Sequence, residues 1–170
     1  MLKMLGAVLL FWRCFGLGLI QIRRMDSRIN VLKMLVFSLE AMEREITFRL
    51  PAMEVMLREA AAGTREPVAG FLIGCSTELE KGLQKPFQEM WSNMALQKLS
   101  VLKKSDFDSL LALGGVLGRY DAEGQRDAIG HACASLEHSL LTATEERRNQ
   151  GKVYGTLSAT AGAFLVILLL

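Results

Sequence analysis

Apolar residues follow two patterns along this chain: continuous at the ends and periodic between them. From Met4 to Ile22 the sequence is almost unbroken apolar residues with Arg13 as its one charge, about 19 residues, enough at a helical rise of ~1.5 Å to cross a ~30 Å hydrocarbon core. From Val153 to Leu170, about 18 residues carry no charge at all. Between the ends the pattern changes to a spacing of three and four. Ile29, Leu32, Leu35, Leu39, Met42 and Ile46 fall on one stripe, which predicts a helix over Asp26 to Leu50 that continues from the first apolar segment. Lys33, Glu40, Glu43, Arg44 and Glu45 lie between them as a solvated face, with Glu40 and Arg44 four residues apart adding modest support.

Prolines and glycines divide the middle of the chain beyond this helix. Pro51 interrupts the helical ladder, and the apolar segment Met53 to Ala62 ends at Gly63, a fitting C-terminal cap. Pro67 and Pro86 each suit a first helical turn, predicting short helices from about Pro67 to Leu79 and from Pro86 to Leu99, with Gly82 and Gln84 in the joint. Ser105 with Asp108 three residues on makes a capping-box-like start for a helix whose face is Leu110, Leu111, Leu113 and Leu117, bounded by Gly118. Asp121 is a good N-cap for a last helix, in which Ile129, Cys133, Leu136, Leu140 and Ala143 form a seam that packs on the first. No segment shows sustained period-two alternation, and hairpin turn pairs are missing between apolar runs. The fold class is therefore all-α: an antiparallel helical bundle over 25–150, flanked by an N-terminal transmembrane helix over 1–24 and a C-terminal one over 151–170.

The excess apolarity, 51% of residues beside 22% charged, is thus concentrated at the ends. After Ile22 come Arg23 and Arg24 in place of a small-x-small cleavage site, so the first segment is expected to stay attached. Basic residues give the orientation. Arg23, Arg24, Arg28 and Lys33 follow the first span and Arg147, Arg148 and Lys152 precede the second, which places the middle in the cytoplasm and both termini outside. Arg13 inside a span is either a paired, functional charge or a side chain snorkelling beside Trp12. Gly151, Gly155, Ala159 and Ala163 recur every four residues, a small-residue stripe suited to close packing on another membrane helix; the alternative is plain lipid-facing composition.

Little in the sequence points to chemistry. A net charge of +2 without a run of like charges leaves no nucleic-acid footprint. Cys14, Cys75 and Cys133 are odd in number and lack metal-ligand spacing, which suits a reducing compartment. No glycine-rich loop ends in Gly-Lys-Ser/Thr, and no nucleophile elbow or triad signature occurs, so neither enzyme activity nor a cofactor is expected. His131 and His138 share a helix face, with Cys133 and Glu137 nearby, but metal ligands on a helix usually sit four apart, so the histidines read as solvated or core-edge residues. Gly114, Gly115 and Gly118 interrupt a leucine-rich helix at a cost of about 1 kcal/mol each relative to alanine. Either close helix packing and a cap offset that cost, or these glycines form a partner-contact surface. Asp121 and Gln125 just beyond them read as the same contact surface or as a helix cap and a surface polar group. Trp91 is a core residue more often than a binding anchor.

Taken in order, these motifs resemble the stage III sporulation protein AB family of endospore-forming bacteria, from end to end. The resemblance rests on Met1-Leu2-Lys3 with Leu5-Gly6-Ala7, on Leu39-Glu40 to Glu45-Ile46 before Pro51, and on Leu113-Gly114 with Leu117-Gly118 leading to Asp121 and Gln125. The closing Gly151 to Leu170 segment, with Tyr154, Leu157, Gly162 and Val166-Ile167-Leu168-Leu169, completes it. The family's soluble part is similar to the cytoplasmic domains of the type II secretion F protein, an inner-membrane platform. The resemblance implies a non-enzymatic platform in the channel complex between mother cell and forespore, in the cell membrane on the mother-cell side. Its implied partners are the ATPase stage III sporulation protein AA, the other channel components, membrane lipid, and room for a homo-oligomer. Arg13, Leu50-Pro51-Ala52 and Gly124 depart from the pattern. The alternative is a membrane-anchored helical adaptor unrelated to sporulation.

Overall fold

The computed structural model describes residues 2–49, 51–82, 86–117 and 122–169, with side chains for 22–49, 51–82, 86–117 and 122–150. Among the described residues there are six helices and no strand: α1 (Leu2–Phe48), α2 (Met53–Ala62), α3 (Val68–Glu80), α4 (Phe87–Lys98), α5 (Lys104–Val116) and α6 (Ala122–Leu169). Each terminal apolar segment is the continuation of a bundle helix. Its side chains, and with them Gly151, Gly155, Ala159 and Ala163, lie outside the described residues, among which no helix is long and apolar enough to cross a membrane.

Two compact units divide the chain, Met1–Ser27 with Thr142–Leu170, and Arg28–Leu141. In the first, α1 and α6 are joined by Arg147, whose Nε and Nη2 donate to the Asp26 carboxylate at 2.8 and 3.4 Å. The second holds the core. All six positions of the α1 stripe are buried, and Val31 and Val36 widen it. Each such aliphatic side chain contributes roughly 1.5–3 kcal/mol by leaving water. On α6, Ile129, Ala132, Cys133 and Leu136 are buried and Leu140 is half-buried. Val36 meets Cys133, while Glu43 and Thr47 share a groove with Arg126 and Gly130, so α1 and α6 run antiparallel here, as the seam predicts.

The short helices begin one residue later than expected at both prolines: Pro67 and Pro86 are N-caps, their carbonyls accepting the first backbone hydrogen bonds from Phe71 and Met90. Gly63 ends α2 as expected, but at φ −84°, inside the ordinary helical region. Its lack of a side chain answers to space instead, since a Cβ there would lie 2.6 Å from the Phe37 ring. Gly82 is the turn residue that needs its freedom, at φ +81°. The start of α5 corrects the reading of Ser105 and Asp108 as its capping pair. Asp106 performs that role: its Oδ2 accepts the Lys103 backbone N–H at 3.0 Å, the reach of a third-position carboxylate back to the N-cap.

Candidate functional site

Three constellations in the Arg28–Leu141 unit carry charge or tight packing. The first is built on Asp106, which is fully buried at the N-terminal turn of α5. Arg28 of α1, itself 7% exposed, grips the carboxylate side-on, Nε to Oδ2 at 2.9 Å and Nη2 to Oδ1 at 3.0 Å. The Lys103 N–H and the Ser139 hydroxyl also donate to it. Burial alone would push this carboxyl's pKa up, but the hydrogen bonds from Arg28, Lys103 and Ser139 and the guanidinium charge outweigh it and hold the group below the usual carboxylate range. One carboxylate therefore fastens α1, α5 and α6 together.

The second constellation is the contact of α4 with α5. Trp91 is fully buried, edge-on to Phe71 at 4.6 Å between ring centroids, and its indole N–H donates to the Leu110 carbonyl at 2.8 Å. Gly114 lies directly over the indole: a Cβ there would come within 2.3 Å of Cδ1. Gly115 faces the amide of Gln88, where a Cβ would meet Nε2 at 3.3 Å. Gly114 is buried, so the close-packing explanation of the glycine run holds at this position, and Trp91 is the core residue the sequence suggests. Gly118 and Asp121 lie outside the described residues. Gln125 is half-buried in the first turn of α6, which begins directly after Asp121.

A third constellation runs along α1 and α6 toward the end of the unit where α6 begins. Glu43, Thr47, Arg126, Asp127, Gly130 and His131 line an open polar groove there. Beside it, Glu40, Cys133 and Glu137 bring a thiol and two carboxylates together. Burial pushes the Cys133 thiol up to about 11, with Glu137, Glu40 and Glu43 adding to the shift, and burial takes Cys75 to about 12, so both are protonated at neutral pH and poor nucleophiles. Sequence reasoning missed both Arg28 with Asp106 and the grouping of Glu40 with Cys133. The one available signal was that Cys133 and Glu137 are four residues apart.

Comparison with known proteins settles the lineage. The family model described as stage III sporulation protein AB matches residues 3–170. The chain belongs to the stage III sporulation protein AB family. Within it, the chain is 25% identical to stage III sporulation protein AB of Bacillus subtilis (strain 168) over 177 residues, an alignment covering the whole of both proteins. The fold is also similar to a solved structure of stage III sporulation protein AB (SpoIIIAB), with a TM-score of 0.65 and 24% identity, covering 72% of this chain and 98% of that one. An end-to-end match fits the order in which the sequence motifs occur, and it assigns the chain a role in sporulation.

Proposed function

We propose that this member of the family is a non-enzymatic membrane platform of the sporulation stage III channel complex, which docks a cytoplasmic ATPase, stage III sporulation protein AA, through its helical bundle. The observation that carries the reading is the end-to-end family match over residues 3–170. The burial of Cys75 and Cys133, which keeps both thiols protonated, and the absence of a phosphate-loop motif from the sequence support a role without chemistry of its own. The alternative of an adaptor unrelated to sporulation does not fit a chain matched over its whole length by this family.

In this reading the apolar segments Met4 to Ile22 and Val153 to Leu170 cross the cell membrane, as continuations of α1 and α6. The bundle faces the cytoplasm on the mother-cell side. Of the cations that favour this orientation, Arg23, Arg24 and Lys33 are exposed, whereas Arg28 is committed to Asp106 inside the bundle. Docking uses the end of the bundle where α6 begins, which holds Gln125, the groove of Glu43, Arg126 and Asp127, and Phe48 at 81% exposure.

Co-purification of the detergent-solubilised full chain with the companion ATPase tests the proposal. Retention of the ATPase by the wild-type chain and its loss on charge reversal at Arg126 and Glu43 is the expected outcome. Failure to retain it in detergent and in reconstituted membranes refutes the docking role. A topology reporter fused near position 90 that is active only outside the cell refutes the orientation.

A further inference from the structure

The turn between α4 and α5 is held at one end of the Arg28–Leu141 unit by residues far from it in sequence. Asp106, in the first turn of α5, is bound by Arg28, with which α1 enters the unit, and by Ser139, just before α6 leaves it at Leu141. Because α4 ends and α5 begins here, Lys98 to Lys104 lie at this end. Leu99 is fully buried and Leu102 is buried beside it, with the Leu102 N–H donating to the Leu99 carbonyl at 3.0 Å. The two leucines pin the turn, and Lys98, Ser100, Lys103 and Lys104 are left exposed around them. From Met90 to Ser105 the sequence holds these three lysines and no acidic residue. Asp106 adds no free charge, since the Arg28 guanidinium offsets it. Among the described residues, neither Lys98 nor Lys104 is paired with a carboxylate. In sequence the three lysines are remote from both apolar segments, yet Arg28 follows Ile22 by only six residues, so the fold returns them to the end from which α1 and α6 run on into those segments.

We propose, resting on the membrane-anchored reading above, that Lys98, Lys103 and Lys104 form a docking surface for anionic lipid headgroups, which seats this end of the bundle on the cytoplasmic leaflet. Charge and position together select that occupant: headgroup phosphates are the anions that face an end from which two membrane helices continue. Each lysine beside an anionic leaflet favours the contact by about fivefold. The attraction fades within a Debye length, about 8 Å at physiological ionic strength, so it acts on this end of the bundle and not on the end where α6 begins. The leucine-pinned turn presents the lysines without a further ordering cost, and its tie to Arg28 and Ser139 passes the contact on to α1 and α6.

The test places the full chain in lipid nanodiscs of phosphatidylcholine with and without phosphatidylglycerol. A fluorophore is attached at Ser100→Cys or, in a separate protein, at Ala52→Cys beyond the opposite end of α1, both in a Cys14→Ala background; Cys75 and Cys133 are buried and escape labelling. Quenching by a spin-labelled lipid headgroup reads contact with the leaflet. Quenching at Ser100 should rise with phosphatidylglycerol and disappear in molar salt, while Ala52 stays unquenched. Lys98→Gln and Lys104→Gln alter exposed side chains, keep the helical circular dichroism, and should each lower the ratio of lipid-bound to free turn about fivefold, whereas Lys104→Arg keeps it. The inference is overturned, with the anchored reading intact, by quenching at Ser100 that is indifferent to phosphatidylglycerol or unchanged when both lysines are replaced by glutamine. A chain that does not co-elute with the discs overturns the anchored reading and this inference with it.

Discussion

Adjacent glycines of α5 should respond to the same substitution with opposite signs. Placing alanine at either position removes the cost of glycine in a helix interior, a gain of about 1 kcal/mol. At Gly115 the new methyl meets the Gln88 amide at 3.3 Å, the far end of an exposed, flexible side chain that swings aside, so Gly115→Ala should stabilise by about 0.5–1 kcal/mol. At Gly114 the methyl would sit 2.3 Å from Cδ1 and 2.8 Å from Cγ of Trp91. That indole has nowhere to go: Phe71 and Phe87 flank it at 4.6 and 5.7 Å, and its N–H is bound to the Leu110 carbonyl. Overpacking of this kind costs about 1–3 kcal/mol, and displacing the indole adds the ~1 kcal/mol of its hydrogen bond. Net of the helix gain, Gly114→Ala should destabilise by about 1–3 kcal/mol, a fall in melting temperature of roughly 2–10 °C for a chain of this size. Thermal unfolding of both variants in detergent, followed by helical circular dichroism, measures the difference. A Gly114→Ala protein as stable as the parent, or two variants shifted in the same direction, would refute the packing account.

The buried ion pair, the thiols and the leucine stripe each give a further outcome. Asp106→Asn strands the Arg28 guanidinium in the core and should cost about 3–5 kcal/mol, whereas Arg28→Met with Asp106→Leu should recover most of that loss, as read by denaturant unfolding. Because the folded state depresses the Asp106 pKa, its contribution is complete above the unfolded value near ~3.9 and is lost as pH falls through the folded one. The parent should therefore lose stability more steeply than Asp106→Asn on acidification below about pH 4. Cys75 should resist alkylation at neutral pH until the chain unfolds, which mass spectrometry of iodoacetamide-treated protein reads directly, since burial raises its thiol to about 12. Leu39→Ala, at the centre of the α1 stripe, should cost about 2–5 kcal/mol in the same unfolding assay.

Local signals carried most of the fold. The stripe from Ile29 to Ile46 was legible because burial repeats with the helical turn, and the breaks at Pro51, Pro67 and Pro86 because proline lacks a donor. The functional constellations depend on long-range pairing, which no spacing rule encodes. Arg28 and Asp106 are 78 residues apart; from sequence alone, Arg28 reads as one more cation beside a span. Ser105 looked like the cap of α5 because its hydroxyl fits the pattern, but the carboxylate one residue on has both a backbone donor and a cation to bind. Gly114 was recognisable as an anomaly, while the indole that explains it comes from another helix. Likewise the histidines on α6 drew attention, while the groups that meet Cys133, the Val36 carbonyl and the nearby Glu40 carboxylate, come from α1.

The side-on grip of Arg28 on Asp106 also denies α1 any alternative seating. Leucine stripes tolerate sliding, because one turn along, about 5.4 Å, another aliphatic side chain arrives at each vacated hole. A guanidinium locked to a buried carboxylate has no such substitute: the same slide would abandon two opposite charges in hydrocarbon at a penalty of several kcal/mol. The pair thus works as a notch on an otherwise smooth rail, so that a pull along α1 moves α5 with it instead of dissipating as slippage between the two.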